Sequence, residues 1–258
     1  LRNIVLTSDD SGVLIRGSDI GDSILDRGNQ SAGSYVFDLA GANDVTLDSL
    51  VMRGAYHGIN VVSDVDNDGL TVTGSTIHGH AEDGIYLSGT NDNVRITLNT
   101  IYDNAWGVYA YYSNGAEIGD GNVVYANRSG GIKAYHGNVN ISDNEVFQNN
   151  AYGIYLDYYG THTVRGNDVH GNVTGIYSHS LSSRHRVEGN RVYNNSDAGI
   201  YLYMYRNGGS LSALGNVVYS NSIGIKAQGR YYDYIYRVEN NLVYANTNHG
   251  IWLDSVVG

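Results

Sequence analysis

The sequence predicts an all-β fold, a single-stranded parallel β-helix (a solenoid) of about 10 coils with 22–26 residues each. Three observations predict it. A Gly-Ile/Val pair recurs along the chain, an Asn-x-Val/Ile-x-x-Asn motif precedes the later pairs, and each unit contains three short segments that alternate apolar and polar residues. Strands this short cannot bury a face alone, so we expect them to stack on copies of themselves about 4.8 Å apart.

The Gly-Ile/Val pair marks one strand of each coil. Its glycines are spaced by 22 to 26 residues and are Gly58, Gly84, Gly107, Gly131, Gly153, Gly175, Gly199, Gly224 and Gly250. Because side chains alternate between the two faces of a strand, the Ile or Val after each glycine should form one inward column. The glycine itself suits a corner that needs a positive φ or a close backbone approach.

The paired asparagines mark the corners. Both members recur with the same separation in seven copies: Asn99 and Asn104, Asn122 and Asn127, Asn144 and Asn149, Asn167 and Asn172, Asn190 and Asn195, Asn216 and Asn221, Asn241 and Asn246. We expect stacked amides to hydrogen-bond along the solenoid axis and to satisfy turn backbone groups. Ser75 and His80 form a degenerate earlier copy.

Other repeat folds and several partner classes are excluded. The Leu-x-x-Leu-x-Leu consensus of leucine-rich repeats is absent, and the units are too short for propeller blades. The net charge is −11, with −10 in residues 1–93 and −1 in residues 94–258, so no basic footprint for nucleic acid exists. No apolar run approaches the roughly 20 residues of a membrane span. We predict one domain over residues 1–258, with irregular coils in 1–44 and regular coils in 45–258, within a larger protein.

The asparagine motif followed by Gly-Ile-x-Leu resembles the right-handed parallel β-helix repeat of pectin-lyase-like proteins, including NosD-like and alginate-epimerase-like groups. The resemblance covers residues 45–258 and implies right-handed coiling and a secreted, cell-surface or periplasmic protein. It does not fix an activity, because lyases, hydrolases, epimerases and adhesins share the fold. The epimerase-type motif Tyr-Gly-Phe-Asp-Pro-His is absent, and the nearest stretch, from Tyr152 to Asp157, is another repeat.

Outward side chains of the Gly-Ile-x-Leu strands are the candidate site. Residues two and four positions after each glycine should lie side by side on one sheet. Sugar rings stack on aromatic faces, so we expect a polysaccharide partner here. The predicted substrate-binding residues are Tyr109, Tyr111, Tyr135, Tyr201, Tyr203 and Arg206.

The predicted chemistry is β-elimination or C5-epimerisation of a uronic-acid polymer. Both reactions need a base, an acid and positive charge on the substrate carboxylate. We assign carboxylate neutralisation to Lys133 or Arg206, and the base to His179. The acid would be Tyr155 or Tyr177, and Asp157 would orient His179. The alternative is a structural or adhesive solenoid of a larger surface protein, because outward tyrosine columns also stabilise a sheet without any ligand.

Two further sequence features predict a metal site and an interaction surface. The residues Asp64, Asp66 and Asp68 match the first half of a calcium loop, although Ser75 stands where an EF-hand has Glu. They predict a Ca²⁺ site, with a solvated acidic turn as the alternative. A second aromatic row lies between the paired asparagines and predicts either a partner surface or a stripe covered by neighbouring segments. Self-association or neighbouring domains are expected at the solenoid ends.

Overall fold

A computed structural model describes residues 2–18, 20–89, 91–181, 184–205, 209–230 and 235–254. It confirms the parallel β-helix: the strands in these residues form three parallel sheets of 11, 10 and 10 strands. Successive strands of one sheet come from successive coils, so each sheet runs along the whole solenoid. The only helical element in the described ranges is the 3₁₀ turn Ser8–Asp10, and none of the helices there could span a membrane.

The three sheets follow one another in every coil. Sheet A contains Ile4–Thr7, Tyr35–Ala40, His57–Val61, Ile85–Ser88, Trp106–Tyr111, Gly130–Tyr135, Tyr152–Asp157, Thr174–Ser180, Ala198–Met204, Ile223–Gly229 and His249–Asp254. Sheet B contains Leu14–Arg16, Thr46–Asp48, Thr71–Thr73, Arg95–Thr97, Asn114–Gly119, Asn138–Ser142, Thr163–Arg165, Arg184–Glu188, Ser210–Leu214 and Ile235–Glu239. Sheet C contains Ile24–Asp26, Val51–Arg53, Thr76–His78, Thr100–Tyr102, Val123–Tyr125, Glu145–Phe147, Asp168–His170, Arg191–Tyr193, Val217–Tyr219 and Leu242–Tyr244.

The core is the narrow interior between the sheets. The Ile or Val after each repeat glycine stacks in register, for example Val108 on Ile132 and Ile132 on Ile154, and these side chains are fully buried. In the last described coil Ile251 is 48% exposed, because no coil covers it. The predicted inward column is therefore confirmed along the solenoid.

The repeat glycines are required by close approach and not by backbone conformation. A Cβ on Gly107 would lie 2.7 Å from the carbonyl oxygen of Gly131 and 2.6 Å from Cγ1 of Val124. None of the nine glycines has a positive φ. Of the two expected reasons for glycine, only the close approach of neighbouring coils applies.

The paired asparagines form two buried ladders at the corners on either side of sheet C. In a typical step, Asn149 Oδ1 accepts hydrogen bonds from the backbone N–H (3.1 Å) and Nδ2 (3.0 Å) of Asn127. Asn149 Nδ2 in turn donates to Asn172 Oδ1 and to the carbonyl oxygen of Val124. Ser75 and His80 begin these ladders, since each accepts a backbone N–H from the preceding coil. The predicted stacking of amides is confirmed.

Candidate functional site

Three columns of side chains cover the outward face of sheet A. The central column lies two residues after each repeat glycine and contains Asn60, Tyr86, Tyr109, Lys133, Tyr155, Tyr177, Tyr201, Lys226 and Trp252. A right column lies four residues after the glycine and includes Tyr111, Tyr135, Asp157, His179 and Tyr203. A left column directly precedes the glycine and includes His57, Asp83, Trp106 and Tyr152. The register brings the predicted site residues onto one face.

Lys133 lies among four aromatic rings. Its Nζ is 4.4 Å from the ring centroid of Tyr109 and 5.5 Å from those of Trp106 and Tyr155, and Tyr135 is 5.7 Å away. Gly130 makes room for the cage, because a Cβ there would overlap the indole of Trp106. Burial lowers the pKa of Lys133, and the charges of Asp157 and Asp83 oppose that shift. Lys133 forms no ion pair with any described carboxylate, so its charge faces the ring cage and solvent.

Asp157 and His179 form a pair in the right column, one and two coils beyond the strand that contains Lys133. The Nδ1 of His179 is 2.8 Å from Oδ1 of Asp157, and both side chains are largely buried. The phenol of Tyr155 lies beside the same carboxylate. Burial, together with the charge of Asp157, raises the pKa of Tyr155, so this hydroxyl keeps its proton at any working pH. Burial likewise raises the pKa of Tyr177.

The structure thus brings together Lys133, Tyr155, Asp157, Tyr177 and His179, the five predicted catalytic residues. His179 is nevertheless not open to a ligand. Its Nε2 is buried without a hydrogen-bond partner among the described residues, and its ring lies 5.2 Å from the ring of Tyr203. Either ring must move before Nε2 could accept a proton from a substrate.

Two pairs of tyrosines on sheet A cover each other's ring faces, whereas Tyr201 is tilted by 58° against Tyr177 and Tyr109 by 65° against Tyr86. Tyr155 and Tyr177 stack with centroids 5.1 Å apart and planes 21° apart, and Tyr111 stacks on Tyr135 at 5.2 Å. The stacked faces cover one another, which differs from the expected platform for sugar rings. Five of the predicted substrate-binding residues lie on this face of sheet A: Tyr109, Tyr111, Tyr135, Tyr201 and Tyr203. Arg206 lies outside the described residues.

Asp83 is a site residue that the sequence reasoning missed. It is 4% exposed, and its Oδ1 accepts the backbone N–H of Trp106 at 3.3 Å. Its Oδ2 is 3.6 Å from Nδ1 of His57, which already accepts the backbone N–H of Asp83. Because that nitrogen is an acceptor, a protonated Asp83 fits beside it better than a carboxylate does.

Burial supports the protonated form of Asp83. Desolvation, followed by repulsion from Glu82, raises the pKa of Asp83 to about 7, while the charge of Lys133 opposes the rise. Burial lowers the pKa of His57 to about 4, so this ring is neutral. A sequence signal exists: the left column has an aromatic residue in neighbouring coils, and Asp83 interrupts it with an acid.

The face of sheet A is shallow. A hollow of about 250 Å³ lies beside Tyr152, Tyr177 and Tyr201. A larger groove, of about 640 Å³, runs over sheet B, where Glu117, Arg165 and Glu188 line it. The predicted catalytic groups are therefore in contact but do not lie in a deep cleft.

The acidic turn shows no assembled metal site. Asp68 Oδ1 accepts the backbone N–H of Asp92 at 2.6 Å, and the neighbouring charge of Asp68 raises the pKa of Asp66. Asp64 accepts a hydrogen bond from the hydroxyl of Ser63. No three His, Asp or Glu side chains within the described ranges are grouped to hold a metal ion. Calcium binding by Asp64, Asp66 and Asp68 stays a prediction.

The second aromatic row forms a continuous outward stack on sheet C. Its eight rings lie 4.7–5.1 Å from their neighbours and within 18° of parallel: His78, Tyr102, Tyr125, Phe147, His170, Tyr193, Tyr219 and Tyr244. Each inner ring is covered on both faces, so the stack stabilises the sheet through its own contacts.

Comparison with solved structures shows the same fold in carbohydrate-related proteins. The A-module of mannuronan C-5 epimerase AlgE6 from Azotobacter vinelandii superposes with a TM-score of 0.62 at 14% identity, covering 93% of this chain and 87% of that one. DFA-IIIase from Arthrobacter chlorophenolicus A6 without its lid gives 0.59 at 17% identity, covering 90% and 67%. Pectate lyase Pel9A gives 0.52 at 11% identity, covering 90% and 64%. At these identities the likeness shows the fold alone.

Sequence comparison identifies the family. No curated protein sequence matches the chain significantly. The family model described as "Periplasmic copper-binding protein (NosD)" matches residues 2–201, which is most of the chain. The repeat pattern and the three-sheet solenoid agree with the predicted NosD-like resemblance, and the chain therefore belongs to the NosD family.

Proposed function

We propose that this chain is a carbohydrate-active β-helix that binds an acidic polysaccharide along sheet A and acts on it as a lyase or C5-epimerase. The observation that carries the proposal is the caged Lys133 with the Asp157–His179 pair in the neighbouring column. Solenoids of this fold include a mannuronan epimerase and a pectate lyase, which supports the substrate class. The periplasmic family description supports a location outside the cytoplasm.

Lys133 suits the recognition of a uronate carboxylate. Its ammonium group is partly desolvated and lacks a carboxylate partner among the residues described, so an anionic ligand gains more from it than from an ion-paired surface arginine. Neutralising the substrate carboxylate lowers the cost of removing the proton at the neighbouring C5 carbon, because negative charge develops on that carboxylate.

Proton transfer would follow from the same cluster. In elimination, His179 takes the C5 proton, the electron pair forms the C4–C5 double bond, the C4–O bond breaks, and a tyrosine donates a proton to the leaving oxygen. Tyr155 and Tyr177 suit the donor role, since burial keeps both protonated. In epimerisation His179 takes the C5 proton, the C4–O bond stays intact, and Tyr155 or Tyr177 donates a proton to C5 from the opposite side.

Copper, named in the family description, does not fit the described histidines. The closest buried imidazoles are His162 and His185, with ring centroids 4.9 Å apart. His162 Nδ1 accepts the backbone N–H of Val139, so in the neutral ring Nε2 carries the proton and has no lone pair for a metal. The chain also contains no cysteine, one of the soft ligands that favour copper(I).

A structural or adhesive solenoid is the second candidate. The stacked rings of sheet C and the mutual stacking of Tyr155 and Tyr177 favour it, because these contacts stabilise the sheets without a ligand. The absence of a deep cleft over sheet A within the described residues agrees with this alternative.

Turnover assays on uronic-acid polymers separate the two candidates. Polymannuronate, polyguluronate and polygalacturonate would be incubated with the protein, with and without Ca²⁺. Ultraviolet absorbance detects unsaturated ends, and NMR detects inversion at C5. We expect one polymer to react, and Lys133→Gln to reduce the rate at least tenfold, equivalent to about 1.4 kcal/mol of transition-state stabilisation. No change in any polymer would exclude the enzymatic function for these substrates and leave the structural candidate.

A further inference from the structure

The chain contains two lysines, and both lie in the central column of sheet A. Lys133 and Lys226 are separated by four coils, through Tyr155, Tyr177 and Tyr201. Lys226 repeats the environment of Lys133, since its Nζ is 4.3 Å from the ring centroid of Tyr201 and 4.7 Å from that of Trp252. Neither lysine forms an ion pair in the part of the chain that the structure describes.

The arginines are distributed differently. The strands of sheet A contain none. On sheets B and C arginines form ion pairs with neighbouring carboxylates, as Arg16 does with Asp48, Arg95 with Glu117 and Arg237 with Glu239. Lys133 and Lys226 are therefore the lysine and arginine side chains of the described sheet A strands, and neither forms an ion pair there.

The spacing of the two lysines is set by the sheet. Adjacent parallel strands lie about 4.8 Å apart, so four spacings place Lys133 and Lys226 roughly 19 Å apart along the axis. A pyranose residue in an extended 1,4-linked polymer advances by close to one strand spacing. In a ribbon with two residues per turn, carboxylates separated by an even number of residues point to the same side.

We infer that Lys133 and Lys226 are two subsites for one acidic polysaccharide chain that lies along the solenoid axis, contacting the carboxylates of sugar residues n and n+4. The inference rests on the proposed function and adds the direction of the chain, its two-fold ribbon form and a minimum ligand of five residues. Tyr155, Tyr177 and Tyr201, the central-column residues between the two lysines, would lie beneath the three sugars between the subsites.

Calorimetric titration with mannuronate oligomers of two to eight residues tests this arrangement. Salt at about 0.1 M screens charges beyond roughly 10 Å, so each lysine must contact its own carboxylate to contribute. We expect affinity to rise about fivefold or more between four and five residues, the effect of one added ion contact at a partly exposed site. Mannose oligomers of the same lengths control for uncharged contacts.

Substitutions distinguish a direct contact at Lys226 from a general effect of the protein's charge on binding. Lys226→Gln should remove the step at five residues and leave the affinity of two-residue and three-residue oligomers nearly unchanged, whereas Lys226→Arg should keep the step. Arg237→Gln, which removes one charge from sheet B, should change neither. Thermal unfolding of each variant verifies that it is folded.

The possible results distinguish failure of the two-subsite arrangement from failure of the proposed function. If oligomers bind but affinity rises smoothly through five residues, or if Lys226→Gln and Arg237→Gln behave alike, the two-subsite arrangement is overturned while the proposed function stands. If no mannuronate oligomer binds the wild type, the arrangement is overturned as well, and the polymer panel then decides whether the proposed function also fails.

Discussion

At the residue scale, the chemistry of the site depends on two buried acids on either side of Lys133. Asp157 has His179 and the hydroxyl of Tyr155 beside it, whereas Asp83 lies beside an accepting nitrogen of a neutral His57. The carboxyl group of Asp157 therefore faces donors, whereas the carboxyl group of Asp83 faces an acceptor. Asp157 is suited to hold a cation or donor, and Asp83 is suited to keep a proton.

Asp83 should make the protein less stable as pH rises. Its pKa is raised from the ordinary 3.8 to about 7, so the folded state holds a proton that the unfolded chain loses above pH 4. Its contribution to stability is fully present below pH 3.8 and is lost as pH rises through about 7. The loss is at most about 4 kcal/mol, because each unit of pKa shift corresponds to about 1.36 kcal/mol.

The variant Asp83→Asn tests that assignment, since an amide of nearly the same size stays neutral at every pH. Denaturant unfolding of both proteins would be measured from pH 4 to pH 8. We expect the stability of the wild type to fall relative to Asp83→Asn across this range. Parallel curves for the two proteins would show that Asp83 is ionised in the fold.

At the element scale, the coils are held in register by the buried asparagine ladders. Replacing Asn149 by Ala removes the acceptor for the backbone N–H of Asn127 and the donor to Val124. Each buried group left unpaired costs about 1–3 kcal/mol, so we expect a loss of roughly 2–4 kcal/mol in the free energy of unfolding. The adjacent, exposed Asn150 is the matched control, and Asn150→Ala should change the free energy of unfolding by less than about 0.5 kcal/mol. Equal effects at both positions would contradict the ladder's role.

The elements were predictable because their positions repeat. Each coil needs a glycine where the next coil approaches closely and an asparagine that hydrogen-bonds to the next coil. Gly107 and Asn149 therefore belong to residue patterns that repeat along the sequence. The pairing of Asp157 with His179 was also predictable, since neighbouring coils bring the same column together.

The remaining features depend on single side chains that the period does not specify. The indole of Trp106 occupies space that Gly130 leaves open one coil away, and this contact completes the cage of Lys133. The raised pKa of Asp83 depends on burial by several coils. The stacking of tyrosine faces depends on side-chain rotamers, which the repeat does not specify. For this reason a sugar platform was expected where the structure shows Tyr155 and Tyr177 stacked on each other.

At the scale of the whole molecule, the three sheets of the solenoid carry different arrangements of charged side chains. Arginine–carboxylate pairs occupy sheets B and C, and sheet C also carries a stacked aromatic row. Sheet A carries lysines held by aromatic rings within a protein of net charge −11. Because the protein as a whole repels anions, binding of an acidic polymer must come from local contacts on sheet A and not from general attraction.

Tryptophan fluorescence reports directly on binding of an acidic polymer at the two lysines, because the two tryptophans of the chain, Trp106 and Trp252, are rings beside Lys133 and Lys226. Wild type and Lys133→Gln would be titrated with polymannuronate and with neutral mannan at the same ionic strength. We expect a saturable change with polymannuronate alone, and an affinity at least about fivefold lower for Lys133→Gln. No saturable change with the acidic polymer, or an identical response from Lys133→Gln, would contradict it.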